Sequence, residues 1–146
     1  SDEDIAQLQF LHGAMQLAIE KGLYTRYDEL QHDFHSCFVD KCGNDRLIAL
    51  IHQLNRSFMN REYTSVAPDE LDRLLRKAND EHAEIVRLFE QRDGAALQRY
   101  ICDTHWSIDN ASSLAGNRSE RGRRSAEEAG AAFSRRQAAI AAASLA

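Results

Sequence analysis

Six histidines are the residues of this chain best suited to chemistry: His12, His32, His35, His52, His82 and His105. Neutral imidazole is a good ligand for Zn, Ni, Co or Cu and titrates near neutral pH. Spacing singles out two of the six. In an antiparallel helical hairpin, residues equidistant in sequence from the turn stand at one height. The midpoint of His82 and His105 falls between Asp93 and Gly94, inside an Arg-Asp-Gly turn signal. Both histidines also lie on apolar stripes, Leu71, Leu75, Ala78, His82, Ile85 and Phe89 on one side and Leu97, Ile101, His105 and Ile108 on the other. The pattern therefore predicts two imidazoles facing the interior at the same level.

A third comes from an earlier segment. Tyr24, Gln31, His35, Phe38 and Cys42 share a face at helical spacing, with Gln31 one turn before His35. Three inward histidines with one side-chain oxygen suit a divalent metal held in a bundle core. Such an ion would also partner polar groups whose unpaired burial costs on the order of 1–3 kcal/mol each. The plain alternative is that each histidine is a core residue hydrogen-bonded to a neighbour, since histidine is commonly of intermediate burial. For His12, His32 and His52 no second ligand aligns, and packing or surface roles are expected.

The elements that must position these groups read as helices. Ser1-Asp2-Glu3-Asp4 supplies a cap and early acids before a stripe of Ile5, Leu8, Leu11, Met15 and Ala18, and Lys21-Gly22 ends that helix. A second helix spans about Tyr24 to Lys41, and Gly43-Asn44 provides a stop and a new N-cap. A third carries Leu47, Ile48, Leu50, Ile51, Leu54 and Phe58, and a polar connection follows from Asn60 to Ala67. Pro68-Asp69-Glu70 opens the fourth helix, because Pro is tolerated in a first turn and acids favour its exposed N–H groups. Short breaks between amphipathic helices predict an all-α antiparallel bundle with a central pocket.

Composition sets the outer bounds. A length of 146 residues suits one bundle domain, and a single Pro with seven Gly argues against a turn-rich sandwich or barrel. A net charge of −5 makes the domain as a whole a poor binder of nucleic acid. No apolar run approaches the ~20 residues of a membrane helix, and no signal peptide opens the chain. Cys37, Cys42 and Cys102 are odd in number and lack Cys-x-x-Cys spacing, which predicts reduced, packed thiols and a cytoplasmic protein. Residues 116–146 differ in character: six Arg face three Glu, and Ala dominates the last stretch around Phe133 and Ile140. They read as a basic link and a weakly amphipathic helix appended to a bundle of residues 1–115, docked on it or on a partner subunit, with nucleic-acid binding by the basic tail as the alternative.

Several short motifs occur in a family order. They are Gln31-His32-Asp33-Phe34-His35, Gly43-Asn44-Asp45-Arg46-Leu47, Glu81-His82-Ala83-Glu84-Ile85, Asp93 with Ala96, and finally His105. In that order and spacing, residues 1 to about 110 resemble the FCD domain, the effector-binding C-terminal half of FadR-type GntR transcription regulators. The resemblance implies a metal held by His35, His82 and His105 with position 31, a small carboxylate effector, and a homodimer whose geometry is coupled to DNA. Position 31 is Gln where the family usually has Asp or Asn. An amide oxygen still ligates, but one negative charge fewer disfavours hard metals such as Mn or Mg and leaves Zn or Ni as the expected ions. Asp33 does not substitute, because it points to another side of the helix. The family's winged helix-turn-helix and the helix that opens its FCD domain find no counterpart in these residues, so DNA would be reached only through a domain absent here.

The expected function is thus metal-dependent sensing of a small organic acid in a transcription regulator. Two other readings stay open. One is an oligomerisation bundle whose histidines merely pack. The other is a metal-dependent enzyme, against which stands the lack of paired Glu-x-x-His motifs and of a general base near the site. Glu81 adjoins His82 but lies about 100° around the helix and is expected to point away.

Overall fold

In the computed structural model, residues 1–59 and 67–107 are described, with side chains at 1–53 and 67–107. Among the described residues five α-helices follow one another: α1 (Asp2–Glu20), α2 (Tyr24–Val39), α3 (Asp45–Met59), α4 (Pro68–Glu90) and α5 (Gly94–Tyr100). A π-helical turn over Ile101–His105 continues α5. There is no strand among the described residues, and no helix among them is long and apolar enough to cross a membrane. The all-α bundle is as the sequence predicts. Ile108, the polar connection at 60–66 and the segment 116–146 lie outside the described residues.

Local chemistry explains most boundaries. Ser1 and Asp4 form a capping box at the start of α1, and Asn44 caps α3 by accepting from the Leu47 N–H at 3.0 Å. Gly22 and Gly43 end α1 and the α2 region with positive φ of 65° and 68°, a conformation open to glycine without a Cβ penalty. The turn before α5 falls at the Arg92-Asp93-Gly94 signal. Its left-handed residue is Arg92, at φ 53°, while Gly94 is the first residue of α5. Asp93 caps α5 through its Oδ1, which accepts from the Ala96 N–H at 2.9 Å.

Packing then sets the helices in register. As α1 advances its contacts step backwards along α4: Asp2 meets Arg92, Gln9 meets Glu90, and Gln16 meets Asn79. The two are antiparallel. α2 runs alongside α4 in the same direction, with Phe34 against His82 and Phe38 against Phe89. Met15, Tyr27, Phe34, Phe38, Ile85, Leu97 and Ile101 fill the space between them and are essentially inaccessible to solvent. Each such side chain contributes roughly 1.5–3 kcal/mol by leaving water. The three cysteines are free thiols and half-buried, and burial pushes the Cys37 thiol up from its ordinary value.

Two positions are less buried than their apolar type suggests. Leu50 is exposed and only Ile51 of the apolar residues of α3 with described side chains is fully buried. On α4 the interior position one turn before His82 is taken by Asn79, whereas Ala78 is half-buried. A 3.6-residue period allows either position to face inward.

Candidate metal centre

His35 is delivered by α2, His82 by α4, and His105 by the π-helical turn. The turn is closed by a Trp106 N–H to Ile101 carbonyl bond of 2.9 Å, five residues apart. A wide turn of this kind shifts every later side chain around the axis, and such turns are frequent at functional sites. Sequence pattern predicts a continuous α-helix here. The widened backbone still buries both Ile101 and His105.

The three imidazoles converge. Ring centroids are 4.7 Å apart for His82 and His105, 5.2 Å for His35 and His82, and 5.4 Å for His35 and His105. One ligand atom from each lies within 4.8 Å of those of the other two, and all three residues are buried. His35 Nε2 stands 3.2 Å from His105 Nε2. The hairpin arithmetic that puts His82 and His105 at one level is therefore realised. Phe34 packs on His82 at 4.8 Å, and Trp106 lies against His35 and His105, so the cluster has aromatic walls.

Glu81 corrects the sequence reading. It is buried, and its Oε2 accepts from His105 Nδ1 at 2.9 Å. The expectation that it points away from the site fails because His105 lies beside α4, so one helical step from His82 carries the carboxylate to the next imidazole. The bond uses Nδ1 of His105 and leaves its Nε2 facing His35. The signal for this existed in the Glu81-His82 pair, but its meaning required knowing where the hairpin partner sits.

His82 is the least satisfied of the three. It is wholly buried, and neither ring nitrogen has a hydrogen-bond partner among the described residues. Burial pushes its pKa well below the ordinary imidazole value, helped by the like charges that His105, His35 and His12 would carry. His35 is pushed down for the same first reason, then by His105 and His32. Both rings are accordingly neutral at physiological pH, the form that ligates a metal. Zn–N bonds of about 2.0–2.1 Å in a tetrahedron set ligand nitrogens roughly 3.3 Å apart, close to the His35–His105 separation. Orphaned lone pairs in a dry core and a borderline-soft donor set both fit a divalent transition metal.

The remaining sequence candidates separate clearly. Gln31 is half-buried on α2, one turn before His35. Asp33 is exposed. His52 is held at the surface by Asp40, with Nε2 to Oδ1 at 2.6 Å, and its ring lies 5.7 Å from that of His32. His12 is half-buried at the seam of α1 and α4, 3.4 Å from Asn79. Packing and surface roles hold for these three.

The fold and cluster define a class: an all-α domain with an interior histidine cluster. The FCD domain model matches residues 1–105. The chain belongs to the FCD family, which forms the C-terminal domain of GntR-family regulators and is regulatory and effector-binding, not catalytic. No curated protein and no solved structure matches the chain.

Proposed function

We propose that this chain is the metal-dependent sensing domain of a GntR/FadR-type transcription regulator. His35, His82 and His105 hold one divalent ion, Zn or Ni foremost, and the side-chain oxygen of Gln31 completes the protein's share of the ligands. The ion supplies a Lewis-acidic point at which the carboxylate of a small organic acid binds. Glu81 fixes the tautomer and orientation of His105, and Phe34 and Trp106 keep the rings from turning. The observation that carries this reading is the wholly buried His82 with two unpartnered nitrogens beside two more imidazoles.

The domain acts as one half of a homodimer in the cytoplasm and controls DNA through a winged helix-turn-helix on the same polypeptide. An effector shifts such an assembly only by binding one arrangement better than another, so its differential affinity limits the response. Elemental analysis with native mass spectrometry tests the reading. Purified protein should carry one divalent ion per chain, and His82→Ala or His105→Ala should lose it and the associated rise in melting temperature. Equal metal content in wild type and both variants overturns the site.

A further inference from the structure

The outer face of α1 is apolar where no described residue covers it. Phe10, Leu17 and Leu23 are the most exposed large hydrophobic side chains among the described residues, at 67%, 54% and 54%. Successive residues of an α-helix are about 100° apart, so Glu3, Phe10, Ala14, Leu17 and Lys21 lie within roughly 40° of one line. That line is on the far side of α1 from Leu8, Leu11, Met15, Ala18 and Ile19, which face the core.

Gly13 sits halfway along the stripe, at its margin. Glycine weakens a helix interior relative to alanine. Apart from the neighbouring residues and the helix's own backbone, no atom lies within 4 Å of where a Cβ would stand. Packing within the described chain therefore does not ask for glycine at this position. A missing side chain on an exposed helix face does let a second helix approach closely.

The order of residues along the stripe is self-complementary. Phe10 and Leu17 are equidistant from a point between Gly13 and Ala14. A two-fold axis through that point, perpendicular to α1, sets Phe10 of one copy level with the partner's Leu17, over the small residues. Glu3 and Lys21 stand at opposite ends, both exposed, and neither forms an ion pair among the described residues. In the antiparallel pair Lys21 of one copy lies about 4.5 Å along the axis from the partner's Glu3, at 1.5 Å per residue. Two long side chains bridge that offset. A parallel pair would set Glu3 on Glu3 and Lys21 on Lys21, with like charges together.

We propose that this face of α1 binds a second copy of the chain, in an antiparallel two-fold helix pair centred between Gly13 and Ala14. A patch that pairs with itself is what a closed dimer requires. The assignment gives a face to the homodimer of the function proposed above and rests on that part of the reading; the ion plays no part in it. One helix pair is smaller than the ~1,600 Å² of a standard interface, so the dimer should dissociate on dilution through micromolar concentrations.

Sedimentation velocity of the full chain across that range tests the face. The wild type should pass from monomer to dimer. Phe10→Glu and Leu17→Glu should each weaken association about 10-fold or more, with circular dichroism unchanged because both side chains are exposed. Gly13→Gln should raise the melting temperature of the monomer and still weaken association. Glu3→Lys or Lys21→Glu alone should weaken it several-fold, and the two exchanges together should recover most of the loss. The two residues are too far apart on one helix to meet, so that recovery requires pairing between copies. A dimer of unchanged affinity in the folded Phe10 and Leu17 variants overturns this face and leaves the homodimer reading standing. A wild type that stays monomeric overturns both, and a lower melting temperature in Phe10→Glu would then show the stripe covered by residues 108–146 instead. Metal content measured in parallel should be the same in every variant, which keeps a failure of the metal site distinct from a failure of this face.

Discussion

Two places in the molecule use histidine in opposite ways. At the surface, His52 sits 2.6 Å from Asp40, and both side chains keep contact with water. In the core, His82 is inaccessible to solvent and has no hydrogen-bond partner among the described residues, with His35 and His105 crowded beside it. The first arrangement is what a folded chain does with a spare imidazole, since solvent and a carboxylate meet its needs at little cost. The second is disfavoured by folding alone. A buried unsatisfied nitrogen costs about 1–3 kcal/mol, and an apolar side chain of similar size would remove that cost. Groups that weaken the fold where they stand are candidates for binding, and these three rings could together hold a metal ion.

The sharpest break of this contrast is His82→Leu. It should abolish metal binding altogether and yet raise the melting temperature of the metal-free protein, because it replaces two orphaned nitrogens with methyl groups. Thermal unfolding with and without a chelator checks both halves. A variant less stable than metal-free wild type would mean that His82 is satisfied in the core by something other than an ion.

Next in size is Glu81→Gln. The variant keeps the shape of the side chain but weakens its hold on His105 Nδ1, and losing an outer-shell partner typically lowers metal affinity 10–100-fold. Competition against a chromogenic chelator measures this. The stability of the metal-free chain should change far less than the affinity does.

Acid provides a third distinction. His35 and His82 are held below their unfolded value of 6.5 by burial, so the unfolded chain binds protons that the folded chain refuses. Stability should therefore be complete above about pH 6.5 and fall progressively as the pH drops below it. Melting temperatures of the metal-free protein across that range report the effect, and His82→Leu should remove part of the slope.

The smallest effect belongs to the surface pair. His52→Ala should cost no more than about 1 kcal/mol at neutral pH, shrink with added salt, and leave metal content untouched. Denaturant unfolding at two salt concentrations resolves it. A loss of metal in this variant would erase the contrast between the two regions.

Much of this architecture was legible from spacing. The stripe of Leu8, Leu11, Met15 and Ala18 is the buried face of α1, and Gly22, Asn44 and Pro68 mark real boundaries. Equidistance from the Asp93 turn was enough to bring His82 to His105. The pattern missed Asn79 and Glu81, both buried, because polar residues are assigned to the outside when only their own helix is considered. Which flank of a helix is interior depends on the number of neighbours it has, and α4 meets α1, α5 and the π-helical turn at once, with ring contacts to α2 as well.

The chain's own order of residues settled that helices form, where they end, and which imidazoles lie on inward faces, because hydrogen bonding within a helix and the 3.6-residue repeat are local properties. Assembly in three dimensions decided everything that depends on a neighbour from a distant segment. It set the π-helical turn that carries His105, gave Glu81 its bond to that ring, and left Asn79 with one oxygen unanswered. Those outcomes turn on distances between helices, and a one-dimensional pattern holds no information about a gap until side chains from both sides have filled it.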